Sequence, residues 1–355
     1  MTTVRWLPPG SDEVAAVLTA LHPGVVAAAP QDQPYEPAPT LSVWCSQVLT
    51  PWLGDPVHVV VAEIERVPVG CALVELPSHD NPHVGLLELH VDLAHRRGGV
   101  GRALWAGALD RLHAHGRSTV LVEARCGSPM EALAAAMGAQ AQLTEVRRHQ
   151  VLGALDLGRL VGLRRASAQA AQDYRLQAWA GPTPAPLRGP LAAATQALND
   201  APLGGLDYDD EAWDADRIAC RDAALVAAGL RMHTVLALAG DGAPAGFTDV
   251  AVSEDGTYAW QWGTGVVPRH RGHRLGMLLK TTMVERLLAV EPAVEVVSTW
   301  NAATNTHMVA VNEALGYEPV DRMSEWQLNL AAPGEPERRP AGRVRSPSGG
   351  APTST

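Results

Sequence analysis

The chain is poor in lysine, cysteine and phenylalanine. Lys280 is the only lysine, and arginine supplies the rest of the 28 basic residues, a bias that reads as the codon usage of a GC-rich genome. The four cysteines, Cys45, Cys71, Cys126 and Cys220, form no CxxC pair. That excludes a zinc knuckle or a dithiol redox motif and argues against a disulfide framework in a chain of 355 residues. No metal is expected. No apolar run is long enough to cross a bilayer. The opening "MTTVRWLPPGSDEVAAVLTALHPG" lacks the basic-then-apolar order of a signal peptide. A cytoplasmic protein without membrane contact is therefore expected. Positive charge is also scarce. The net charge of -10 argues against nucleic acid as a partner. GxxxxGK[ST] does not occur, which excludes a P-loop.

What is present is a repeat. His95-Arg96-Arg97-Gly98-Gly99-Val100-Gly101 returns as His270-Arg271-Gly272-His273-Arg274-Leu275-Gly276, displaced by 175 residues. That period is too long for a solenoid and suits two copies of one domain. Each copy follows strand-like runs. In the first half these are "VHVVVAEIE", "VGCALVELP" and "HVGLLELHV". In the second, Asp241-Gly242 and Asp255-Gly256 separate "HTVLALAG", "PAGFTDVAVS" and "TYAWQWGTGVV". Asp-Gly between such runs is a hairpin signal. An amphipathic helix follows each turn, carried by Leu104, Trp105, Ala108, Leu109 and Leu112 in one half. In the other, Leu275, Leu278, Leu279, Met283, Leu287 and Leu288 carry it. A further strand and helix complete each half.

A glycine turn between strand and helix exposes backbone N–H groups beside the positive end of the helix dipole, which suits phosphate. A dinucleotide fingerprint would need GxGxxG in a parallel unit, and the strands before each turn read as antiparallel. The pattern [QR]xxGx[GA] fits Arg96 to Gly101 fully. In the second copy Arg274 replaces its first glycine.

"ELHVDLAHRRGGVGRAL", "LNDAPLGGLDYDDEAWDADR", "VPRHRGHRLGMLLK" and "TWNAATNTHMVAVNEALGYEP" together resemble the GNAT superfamily of acyl-CoA-dependent N-acyltransferases. More narrowly, they resemble actinobacterial-type tandem members. The resemblance runs to about Leu330. It implies an α/β (α+β) fold: two tandem domains, each with a mixed, mostly antiparallel sheet flanked by helices and splayed between its fourth and fifth strands. The expected domains are 1–154 and 172–330, with a linker over 155–171 and a disordered tail over 331–355.

The resemblance also implies acetyl-CoA as cosubstrate, with its diphosphate on the turns. The expected contacts are Arg96, Arg97, Gly98, Gly99, Val100, Gly101 and Arg102 in the first half. In the second they are Arg271, Gly272, His273, Arg274, Leu275 and Gly276, while Asn305 would bond the pantetheine arm or cap the next helix. Val91 and Val266, at the ends of the fourth strands, would meet the pantetheine arm. A primary amine of a small molecule would attack the thioester directly. Glu88 is the expected catalytic base, with His90 on the same face of the strand. In the second half the matching place is Gly263, flanked by Gln261 and Thr264, which could orient water or substrate. The tyrosine that many members use to protonate the thiolate is replaced by Ala134 and Asn312. One domain is therefore expected to be degenerate. The alternative is a non-catalytic acyl-CoA-binding protein. The acidic run Asp207, Asp209, Asp210, Glu211, Asp214 would attract a cationic amine or form a solvated helix start. A monomer or homodimer is expected.

Overall fold

The computed structural model describes residues 2–29, 38–50 and 54–330; the tail expected over 331–355 lies outside them. In the first half the elements are β1 (Thr2–Leu7), α1 (Asp12–Ala28), α2 (Leu41–Leu49), β2 (Val57–Ile64), β3 (Val67–Glu75) and β4 (Val84–Val91). They continue with α3 (Val100–Ala114), β5 (Thr119–Arg125), α4 (Pro129–Ala136) and β6 (Gln140–Val151). Helix α5 (Leu157–Ala170) leads into β7 (Arg175–Ala180), α6 (Ala185–Thr195), α7 (Ala215–Ala227), β8 (Arg231–Leu238), β9 (Pro244–Val252) and β10 (Tyr258–Val266). The last described elements are α8 (Leu275–Val290), β11 (Val296–Ala302), α9 (Thr306–Ala314) and β12 (Glu318–Asn329).

The apolar runs pair as antiparallel meanders, β1 to β4 and β7 to β10. Both Asp-Gly hairpins form. Gly242 and Gly256 take φ of 85° and 78°, a conformation glycine adopts without steric cost. Asp241 and Asp255 accept the amides of Ala243 and Thr257.

β4 and β5 pair in parallel only over Val84–Leu86 and Thr119–Leu121. β10 and β11 do so only over Tyr258–Trp260 and Val296–Ser298. Beyond those short ladders each pair splays, leaving a V-shaped gap in each half.

The halves share one 12-stranded sheet, ordered β1-β2-β3-β4-β5-β12-β6-β11-β10-β9-β8-β7. The last strands are exchanged. β12, from the end of the chain, pairs with β5, while β6, from the first half, pairs with β11. Each half is thus closed by a strand of the other, and a cut of the chain into consecutive blocks does not follow the sheet. The stretch expected as a linker is helical from Leu157. Asp156 caps α5 by accepting the Arg159 amide at 2.9 Å, and Leu160 packs into the same core as Leu278, Leu279 and Met283 of α8.

Register assigns the two faces of the sheet. α3 and α4 pack on one face of the first half and α8 and α9 on the same face of the second. α1 and α2 cover the opposite face of the first half. α6 and α7 cover it in the second.

Candidate acyl-transfer site

The two turns have one backbone and two sequences. In the first, Arg97 (φ 65°) and Gly99 (φ 89°) are left-handed; in the second, Gly272 (φ 86°) and Arg274 (φ 55°) are. Each turn needs two such residues, and each puts glycine at one place and arginine at the other. Arg274 therefore replaces a glycine without changing the path of the chain. It accepts the cost of a side chain in that region, about 1 kcal/mol.

Val100 and Leu275, both 2% exposed, anchor the first helical turns in the core. Arg96 Nε donates to the Val91 carbonyl at 3.1 Å, and Arg271 Nε to the Val266 carbonyl at 3.1 Å. These arginines tie each turn to the end of its strand. Arg271 also pairs with Asp200. Arg97, Arg102, His273 and Arg274 are exposed at the rim.

The amides between these anchors are free. The Arg96 amide donates to Leu93, and the next amide with a backbone acceptor is that of Ala103, bonded to Gly99. In the second turn the gap runs from Arg271, bonded to Pro268, to Leu278, bonded to Arg274. Residues 97–102 and 272–277 thus present six consecutive N–H groups each, at the N-terminus of a helix of 15 or 16 residues. Orphan amides plus the dipole make an anion site.

Gly101 and Gly276 keep the approach open. A Cβ on Gly101 would face Leu133 at 3.3 Å, with Leu89 and Val91 at 4.0 Å. One on Gly276 would meet only Val266, at 3.9 Å. Both point toward the splayed strand ends. The residues present therefore fit a diphosphate whose attached chain runs into the gap. Asn305, by contrast, accepts the Met308 amide at 3.3 Å and caps α9, a role Ser128 repeats on α4.

The opposite faces of the two gaps differ. In the first half Glu88 and His90 project from β4 beneath α1 and α2. His90 Nε2 lies 2.6 Å from Glu88 Oε1, and the His90 ring meets the edge of Trp44 at 5.4 Å. The Glu88 side chain is 62% exposed. Partial desolvation over the sheet pushes its pKa up, but the hydrogen bond from His90 and the charge of that ring when protonated outweigh this, and it lies below the usual carboxylate value. Register places Glu75, Glu123, Glu145 and Glu325 on the same face, from β3, β5, β6 and β12. Burial, with Asp55 and Glu88 nearby, pushes Glu75 up to about 7. Burial and Glu145 do the same for Glu325.

In the second half this face is closed. A β-bulge in β10 opposes Trp262 and Gly263 to Asp249. A Cβ at Gly263 would lie 2.9 Å from the Phe247 ring, and one at Gly265 3.1 Å from that ring and 3.2 Å from Ala197. The glycines let the only phenylalanine and the end of α6 close down on the sheet. Gln261 is spent on the bulge, donating to Thr248 Oγ1 at 2.8 Å and to the Asp249 carbonyl at 2.7 Å. Thr264 bonds Thr248 at 2.7 Å. Neither faces an open cleft. Phe247 carried no sequence signal of its own; the glycines at 263 and 265 did.

The tyrosine positions hold Ala134 and Asn312, both fully buried; Asn312 donates to Asn301 at 2.6 Å. The acidic run forms the exposed approach to α7 and its start, with Asp207, Asp209, Asp210 and Asp214 open to solvent. Asp214 caps α7 at 2.8 Å, Asp207 accepts from Thr119 at 2.8 Å, and the backbone of Asp209 bonds Asn81. Arg217 pairs with Asp80 and stacks on Trp213 at 4.6 Å. The segment clasps the second half onto the β3–β4 loop.

A twisted meander, a splay after the fourth strand and an amide-lined turn at the following helix define an N-acyltransferase fold, present twice. Residues 26–139 match the acetyltransferase (GNAT) family model. Residues 26–139 thus lie in a GNAT domain, and the whole chain takes the fold of a tandem, two-domain GNAT protein. It is similar to a tandem GNAT protein from the clavulanic acid biosynthesis pathway: 27% identity, TM-score 0.74, covering 94% of this chain and 100% of that one. It also shares its fold with a GCN5-related N-acetyltransferase from Sphaerobacter thermophilus, at 16% identity and TM-score 0.59 over 94% and 97% of the two chains. A GCN5-related N-acetyltransferase from Anabaena variabilis aligns at 10% identity and TM-score 0.53, over 92% and 72%. No curated protein sequence matches the chain. Among the described residues no helix is long and apolar enough to cross a membrane.

Proposed function

We propose that the protein is a cytoplasmic N-acetyltransferase that moves the acetyl group of acetyl-CoA to a primary amine of a small molecule. The chemistry takes place in the N-terminal half. One observation carries this: that half alone joins an amide-lined turn and a splayed gap to an open face bearing an exposed carboxylate–imidazole pair. The residues of either turn fit the diphosphate. The cosubstrate supplies an activated thioester. The protein supplies position and charge. The shared acidic face suits a cationic amine. With Glu75 and Glu325 titrating at about 7, its attraction for that amine should strengthen as pH rises through neutrality.

The C-terminal half keeps the turn and lacks the open face, so its role is to bind acyl-CoA or to brace the sheet. The replaced tyrosines favour one further reading, a protein that binds acyl-CoA without turnover. The two readings part in a single assay, free-thiol release from acetyl-CoA across a panel of amines. Amine-dependent release supports the transferase. Tight acetyl-CoA binding with no amine-dependent release identifies a receptor.

A further inference from the structure

We propose that His90, oriented by Glu88, is the group that takes the proton from the acceptor amine. The proposal rests on the acyl-transfer reading of the N-terminal half and reassigns the base from the carboxylate to the imidazole.

The two-residue period of β4 puts both side chains on the open face. The bond between His90 Nε2 and Glu88 Oε1 is 2.6 Å, the length of a charge-assisted contact. An ionised carboxylate only accepts hydrogen bonds, so Nε2 carries the hydrogen and the lone pair of the neutral ring sits on Nδ1. That nitrogen has no hydrogen-bond partner among the described residues. The ring is held rather than free. Trp44, 2% exposed, stands edge-on to it at an interplanar angle of 72°. The His90 side chain still keeps 26% of its surface open. A carboxylate fixing one ring nitrogen while the other faces the reactant is the division of labour of a catalytic dyad. The same bond makes Glu88 the poorer base. An imidazole changes charge across the working pH range of most enzymes.

The groups around His90 agree with this. Cys71 is its register partner on β3, buried and held as a thiol. Glu75 lies farther along β3. Cys45 comes from α2, next to Trp44, and His22 from α1, with its ring 6.1 Å from that of Trp44. Glu123 and Arg125 share the face from β5. Glu88 alone among these is hydrogen-bonded to the ring.

In the step itself an ammonium R–NH3+ gives one proton to His90 Nδ1. The freed nitrogen pair forms the new bond to the thioester carbonyl carbon, and the C–S bond breaks with its electrons on sulfur. His90 returns one proton to the thiolate, and the surplus amine proton leaves to water. The sum is ammonium plus acetyl-CoA giving amide, CoA thiol and one proton.

The test uses the full chain and acetyl-CoA with an amine that the wild type accepts. His90→Gln keeps a donor for Glu88 but has no base. It is expected to lose at least about 100-fold in kcat/KM and the acid limb of the pH–rate profile, with the acetyl-CoA Kd and melting temperature unchanged. Added imidazole should restore part of the rate. Glu88→Gln should lose less, because the imidazole keeps its lone pair and loses only the carboxylate that orients it. The proposal is overturned if His90→Gln keeps the wild-type rate and limb, or if Glu88→Gln abolishes both while His90→Gln does not. A wild type that releases thiol with no amine reaching this half is a separate result, detected before any variant is made, and it removes the function reading itself.

Discussion

Replacing Gly101 with leucine should weaken acetyl-CoA binding by at least about 100-fold, equal to about 2.7 kcal/mol, and leave the protein folded. Gly101 is the second residue of α3, so a side chain there improves helix propensity by up to about 1 kcal/mol. Its Cβ direction runs toward Leu133, Leu89 and Val91, where the proposed path of the pantetheine arm enters the splay. A leucine would fill that channel and keep the diphosphate off the amides of residues 97–102. Gly276→Leu tests the other half in the same way, with more room, since only Val266 lies within 4 Å of the added carbon, at 3.9 Å. Calorimetry on the two single variants and the double variant assigns each bound molecule to its turn. An affinity unchanged in both single variants and in the double would show that neither gap is the cofactor channel.

Lys280→Met should stabilise the protein by about 3 kcal/mol at pH 7 and lose that advantage as pH rises toward the free lysine value. The side chain is 1% exposed, on the buried face of α8, with its nitrogen 4.7 Å from the Tyr317 ring centre. No described residue forms an ion pair or hydrogen bond with it. Burial lowers its pKa from 10.5 to about 7, and one tenfold change in proton affinity is about 1.4 kcal/mol. The sign follows from proton counts. Below pH 7 both states are protonated and the penalty is complete. Between about 7 and 10.5 the unfolded chain holds the proton and the folded chain does not, so stability rises with pH. Comparing Lys280→Met with wild type cancels the opposite trend of Glu75 and Glu325. Their folded values near 7 make the protein lose stability between the ordinary carboxylate range and neutrality. The loss of the cation–π contact, about 1 kcal/mol, reduces the net gain. Urea midpoints of both proteins from pH 6 to pH 10 check the difference and its slope. Lysine scarcity looked like codon bias; the one lysine is also less exposed than any described arginine.

The duplicated fold was legible because each of its signals is local. Asp241-Gly242 and Asp255-Gly256 specify hairpins within a few residues, and Arg96 to Gly101 specifies a strand–turn–helix. The exchange of β6 and β12 was not legible. Strand pairing is decided by partners far along the chain, such as Glu145 opposite Met323, 178 residues away, and alternation along a strand names a face without naming a neighbour. Helix α5 was hidden by a sequence of weak amphipathicity, "LGRLVGLRRASAQA", whose apolar residues find their core only in α8. At the site, the glycine pattern pointed to both turns, but the equivalence of Arg97 with Gly272 and of Gly99 with Arg274 is a property of φ, not of residue type. The open and closed faces depend on Phe247, which β9 brings beside Gly263 and Gly265 of β10, and on α6. Those contacts exist only once register and helix packing are set.

The most direct measurement is a crystal structure of the full chain with acetyl-CoA. The diphosphate should lie on the amides of residues 97–102, the pantetheine should pass between β4 and β5, and the thioester should end on the face of Glu88 and His90. A diphosphate bound elsewhere, or a thioester directed away from that face, would contradict the account.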